Sequence, residues 1–199
     1  MQGFRVGRRV YASVRRQQRE DGRYELVDGY TTILAGNTNR DDRTVRNGLA
    51  FVENGLAGHR CQPFTSDIFV AAPSGNRRHA DIGVDCGCPF GGSVEADRPG
   101  SICEVLPSAQ GGAFELPSRI RDYRGIPSLQ VPVLADPEHP RVLVHRRAAD
   151  SRWVDPLELL QGVEAVLSLP QLGLQMPLTA LHPGISFSAR PIGSLGSDG

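Results

Sequence analysis

Two acidic residues stand where an acid is costly. Asp81 opens the apolar run Ala80-Asp81-Ile82-Gly83-Val84, and Glu104 lies inside Ile102-Cys103-Glu104-Val105-Leu106. A carboxylate in an apolar strand costs free energy unless a cation pairs with it. Side chains alternate between the faces of a strand, so acids on neighbouring strands converge on one ion when they share a face. Hard carboxylate oxygens suit magnesium, which binds few protein ligands and keeps several waters. A basic helix ending in Arg121-Asp122-Tyr123 follows. Strand carboxylates followed by a basic helix suggest metal-assisted phosphodiester hydrolysis, in which the ion polarises the phosphate or activates a water. Spacing alone also allows an edge position or a buried arginine partner for each acid.

Such sites usually carry a lysine, and none of the 199 residues is one: all 22 basic residues are arginine. Lysine codons are AT-rich, so a GC-rich genome could drain them; that would explain the rarity but not how a site works without one. Net charge is zero, so no overall field draws the chain to nucleic acid, and a DNA-binding surface has to be a local arginine cluster. Arg77-Arg78, on a turn just before Asp81, is a candidate phosphate contact, since arginine binds phosphate in bidentate fashion. His79 beside it is a weaker candidate. Cys86-x-Cys88 with Cys61 and Cys103 could hold zinc, although the one-residue spacing is shorter than usual; these cysteines also suit small core positions. The beginning of the chain has no apolar stretch of signal-peptide length, so a cytoplasmic location with reduced thiols is expected. The apolar region from Leu157 to Leu181 contains Glu158, Glu164, Pro170 and Pro177 and does not read as a membrane span.

The elements that must position these residues follow from periodicity. Tyr24 to Val27 and Tyr30 to Leu34 read as a hairpin turning at Asp28-Gly29. Val45, Leu49, Val52 and Leu56 mark one face of a helix, which Gly48 and Gly55 weaken by about 1 kcal/mol each. Cys61 to Ala72 reads as one strand, followed by the Asp81 strand, a Gly/Pro-rich loop from Gly87 to Gly100 and the Glu104 strand. Pro117 marks the start of the next helix. Strands over Leu129 to Leu134, Arg141 to Arg146 and finally Gly162 to Leu169 complete the pattern, with a short one near Trp153-Val154. This order predicts an α/β fold with a mixed central sheet flanked by helices. Residues 1–183 are expected to form one domain with an N-terminal arm over 1–22, and 184–199 a mobile tail.

From Tyr24 to His182 the landmarks come in a familiar order: Tyr24-Glu25-Leu26-Val27-Asp28-Gly29, Ala80-Asp81, Glu104-Val105-Leu106, Tyr123-Arg124-Gly125-Ile126-Pro127-Ser128-Leu129 and Leu134-Ala135-Asp136-Pro137. This set resembles the Uma-two family of restriction endonucleases, within the PD-(D/E)XK nuclease superfamily, over about four-fifths of the chain. The resemblance implies a restriction-endonuclease-like core, DNA cleavage and a homodimer. It implies that Asp81 and Glu104 bind magnesium or manganese, with Glu25 close by.

The departures matter as much. The superfamily lysine two residues after the strand acid is Leu106 here. The family's alternative lysine, four residues before the helix tyrosine, corresponds to Arg119, and its accompanying acid to Glu115, which Pro117 leaves in the turn before the helix. Arg119 and Tyr123 lie one turn apart on one helix face. An arginine stays charged and is a poor base, yet it can stabilise charge developing on phosphate. Two functions fit: a metal-dependent DNA endonuclease impaired by the lost lysine, or a catalytically inactive nuclease-like protein that binds DNA or acts through a dimer.

Overall fold

A computed structural model describes residues 24–34, 38–88, 91–106 and 116–184. The N-terminal arm, the tail from residue 185 and Glu115 lie outside the described residues. Strands β1 (Tyr24–Val27) and β2 (Tyr30–Ile33) form the expected hairpin. Asp28 and Gly29 have φ of 51° and 82°, the positive pair that a tight two-residue turn requires. β1 continues onto β5 (Arg77–His79), which pairs with β4 (Phe69–Ala71), giving an antiparallel sheet in the order β2-β1-β5-β4.

A six-stranded sheet forms the centre, in the order β10-β9-β8-β7-β6-β3. Its strands are β3 (Gln62–Thr65), β6 (Ile82–Asp85), β7 (Pro99–Val105), β8 (Val131–Ala135), β9 (Arg141–Val144) and β10 (Glu158–Gln161). β7 and β8 run parallel, and parallel neighbours need a crossover; it carries helix α2 (Leu116–Gly125). The remaining pairs in this sheet are antiparallel. The mixed α/β architecture is therefore the expected one.

Alternation along the strands divides the core between the two faces of this sheet. On one face Val84, Val105, Val131, Val133, Val142 and Val144 pack with Val52 and Leu56 of helix α1 (Asn39–Gly55) and its end. The hairpin of β11 (Val166–Leu169) and β12 (Leu174–Pro177) covers the same face. On the other face Ile102 and Leu134 pack with Ile120 and Tyr123 of α2 and with Val70 and Ala80. Glu104 follows Ile102 at a spacing of two, so it shares the α2 face. Thr38 and Asp41 cap α1 reciprocally, satisfying two of the donors that a helix start leaves open. Gly48 does more than weaken α1: a Cβ there would lie 2.7 Å from Ile82 Cδ1. Its small size lets the helix sit close to the sheet.

Several expectations need correction. Cys61 to Ala72 is two strands, β3 in the central sheet and β4 in the other, with a turn between them. The Asp81 run is likewise divided: β6 begins at Ile82, and Ala80-Asp81 carries the chain from β5 in one sheet to β6 in the other. Gly162 to Leu169 is not the last strand, because β12 follows it and β10 precedes it. Trp153 forms only an isolated bridge to Arg147; its indole donates to the Arg124 carbonyl at 2.9 Å, and the Arg147 guanidinium stacks on its ring. Cys61 and Cys86 are joined in a disulfide rather than reduced. The β3–β6 register pairs Gln62 with Asp85, so the next residues out face each other. This bond takes two of the four sulfurs from the zinc reading and leaves Cys88 exposed and Cys103 half-buried. Among the described residues no helix is long and apolar enough to cross a membrane.

Candidate active site at the seam between two sheets

The register of β6 against β7 pairs Ile82 with Cys103. One step further along each strand, Asp81 comes opposite Glu104. Asp81 Oδ2 accepts the Val105 N–H at 2.8 Å, which ties the crossover residue to the neighbouring strand. Glu104 is buried, and its Oε1 accepts a very short hydrogen bond from the Tyr123 hydroxyl. Arg119 Nη1 approaches the same oxygen at 3.3 Å. The helix residue at the alternative lysine position thus reaches the strand acid, as its alignment with Tyr123 implied. Leu106, at the older position, packs with the apolar cluster under α2.

Arg119 is held mainly by Glu25. Nη1 lies 2.8 Å from Glu25 Oε1 and Nη2 lies 3.1 Å from Oε2, while Nη1 also donates to the His79 carbonyl at 3.1 Å. Glu25 is fully buried on β1. It accepts two further bonds, from the His79 N–H at 2.9 Å and from Arg78 Nη1 at 2.9 Å. Arg78 in turn grips Asp122 of α2, with Nε and Nη2 each 2.8 Å from Oδ2. Ser74 and Asn76 also donate to Asp122. The site therefore draws on β1, the β5–β6 crossover, β7 and α2, where the two sheets meet.

Charge is unbalanced there: Glu25, Asp81, Glu104 and Asp122 face two guanidiniums. Burial, opposed by Arg119 and reinforced by Asp81, pushes the Glu104 carboxyl up to about 8. Burial works against the Arg119 charge, but Glu104, the Tyr123 oxygen and Glu25 more than offset it, and its pKa is raised. Burial and the Glu104 charge push the Tyr123 hydroxyl well above its ordinary value. The tyrosine therefore acts as a donor, and the arginine stays a cation.

The remaining candidates are placed as follows. Arg78 is 1% exposed and ion-paired on both sides, so it is not a surface phosphate contact, contrary to expectation. A residue between two flanking acids in a central strand position has its charge consumed by the core. Arg77 points the other way, as strand alternation demands, and pairs with Glu95 at 3.0 Å. His79 is buried, with Nε2 3.0 Å from the Tyr24 carbonyl and its ring against Phe69; it belongs to the packing between β1 and β4. Asp122 and Asn76 are the site residues that spacing missed. The available signal was the period of two in β5, which puts one arginine of the pair inside and so demands an acid there.

Among the described residues no group of three or more His, Cys, Asp or Glu side chains converges to hold a metal. The donor set at the seam is two carboxylates, one buried and one half-buried, with an excess of negative charge around them. That set suits a magnesium-like ion, which needs few protein ligands and retains its own waters. It does not suit a fully protein-caged metal.

Residues 11–179 match the model of the Uma2 family, described as "Putative restriction endonuclease". The chain belongs to the Uma2 family. Its fold is similar to a crystal structure described as a putative nuclease belonging to DUF820 from Anabaena variabilis ATCC 29413. The TM-score is 0.64 at 14% identity, over 79% of this chain and 88% of that one. No curated protein sequence matches the chain. The structure also gives this Uma2 chain's Leu134-Ala135-Asp136-Pro137 landmark a physical role. Asp136 accepts from the Glu138 and His139 N–H groups and pairs with Arg141, fixing the turn from β8 into β9.

Proposed function

We propose that this Uma2 chain is a metal-dependent endonuclease that hydrolyses DNA phosphodiesters. The observation that carries the reading is the register that sets Asp81, at the β5–β6 crossover, opposite Glu104 of β7, in surroundings with more carboxylates than arginines. Asp81 and Glu104 are the residues that would hold a magnesium or manganese ion. When bound, the ion would polarise the phosphoryl group and make a bound water more acidic. Tyr123 and Arg119 fix Glu104 Oε1 and set the direction of its carboxylate. Arg119 keeps its proton, so it offers a fixed positive charge and does not accept a proton from water. Its close contacts turn it towards Glu25 and Glu104, which makes it an internal counter-charge more than a phosphate clamp. The test is nicking of supercoiled plasmid with magnesium or manganese by wild type and Asp81→Ala. Loss of nicking by at least about 100-fold is expected for removal of a metal ligand, and activity that survives the substitution sinks the site.

One observation favours a second reading, an inactive nuclease-like protein that binds DNA. Residue 119 is an arginine clasped by both oxygens of Glu25, so it cannot serve as a lysine would. This reading expects no cleavage and DNA retention that falls steeply with salt. Arg119→Lys separates the two: gained cleavage marks residue 119 as the proton-handling position, whereas no cleavage from either protein supports the binding role. A homodimer accompanies both readings, and sedimentation equilibrium of the full chain checks it.

A further inference from the structure

Arg119, Asp122 and Tyr123 stand at spacings of three and four, which places them on one face of α2. Each is held by partners on the sheets. Tyr123 meets Glu104, Arg119 meets Glu25 and Glu104, and Asp122 meets Arg78. The last two clamps are not independent, because Arg78 and Glu25 are themselves paired at 2.9 Å. Glu25 accepts three hydrogen bonds, from Arg78, from Arg119 Nη2 and from the His79 N–H, and its Oε1 is ion-paired with Arg119 Nη1, so its side chain has one orientation. Arg78 uses one edge on Glu25 and the other on Asp122, and Nη2 also donates to Ser118 of α2 at 3.1 Å. A planar guanidinium can bridge two acids in this way, whereas an ammonium is a single point of charge.

We propose that Arg78 is a positioning residue: it pins α2 against the sheets through Asp122 and Glu25, and so sets where the Tyr123 hydroxyl and Arg119 meet Glu104. Arg78 touches neither Asp81 nor Glu104 in any of these contacts. It acts on the metal-holding carboxylate through the helix. The proposal rests on the reading of Glu104 as a metal ligand.

The test substitutes Arg78→Lys, which keeps the charge beside Glu25 but cannot span both acids. Its readout is the Mn2+ dissociation constant of the folded protein, followed by electron paramagnetic resonance. Positioning predicts weakening by about 5- to 10-fold in an otherwise wild-type chain, and by less than about 2-fold in a Tyr123→Phe background, since coupled residues are non-additive. A purely structural role lowers stability and leaves the dissociation constant unchanged, which overturns the proposal; so do equal effects in the two backgrounds. If Arg78→Lys does not fold, Asp122→Asn opens the same clamp from the helix side, with the same expectation. A metal-free arm follows the Tyr123 hydroxyl proton by NMR: a shift or loss in Arg78→Lys supports positioning, and an unchanged signal overturns it. A wild-type chain that binds no Mn2+ while this signal shifts sinks the metal-site reading and leaves the helix pin standing.

Discussion

At residue 119 a guanidinium lies 2.8 Å from Glu25 and 3.3 Å from Glu104, and this pair of contacts explains what a lysine-free site can keep. It keeps a cation that offsets two buried acids, and gives up a group able to exchange a proton. Arg119→Ala leaves both acids short of a partner, and breaking a buried pair of this kind costs about 3–5 kcal/mol; urea denaturation checks it. Glu104 has a pH signature of its own. It ionises near 4.5 when unperturbed and at about 8 in the fold, so between those values the folded chain carries the extra proton. Metal-free stability therefore falls as pH rises through this window, and Glu104→Gln flattens the fall. A divalent ion must displace the same proton, so Mn2+ affinity is expected to rise up to about tenfold per pH unit until about pH 8 and then level off. Titration calorimetry across pH measures this directly. The placement of Asp81 opposite Glu104 follows from the register, and the two stood out in the sequence because apolar neighbours expose an acid that needs a reason. Arg78 was not, because two adjacent arginines before a turn look solvated until the partner sheet is known.

The elements show where reading the chain in one dimension fails. Periodicity finds a strand and not the sheet to which it belongs, so the runs at Cys61 to Ala72 and Ala80 to Val84 looked continuous although each changes sheets. The hairpin at Asp28-Gly29 and the helix between β7 and β8 were legible, because turn chemistry and Pro117 mark them, but the parallel pairing of those two strands was not. The disulfide between Cys61 and Cys86 was not, since it depends on the β3–β6 register. Glycines at the contacts give the sharpest element-scale tests. A Cβ at Gly83 would fall 2.0 Å from the Phe64 ring, so Gly83→Ala must displace that ring or open β3 from β6. Gly48→Val would drive α1 off Ile82. Overpacking of this sort costs about 1–3 kcal/mol, and both variants should show it in urea melts with the denaturant slope unchanged.

For the whole molecule, neutral net charge means that any affinity for DNA comes from a limited set of arginines. The slope of log affinity against log salt counts the phosphates that those arginines contact, and filter binding at several salt concentrations measures it. The molecule was legible from its sequence in outline, since five ordered landmarks carried the family and the mixed sheet. Its sheet order was not, because pairing between distant strands leaves no local mark. That same distance has a consequence during synthesis. The groups that meet at the seam come from β1, the β5–β6 crossover, β7 and α2, so they enter the growing chain over about a hundred residues, from Glu25 to Tyr123. A ribosome that stalls before Tyr123 releases a fragment without the donor that fixes Glu104. Incomplete products of translation then lack an assembled centre, and any capacity to cut DNA is confined to chains long enough to close both sheets around it.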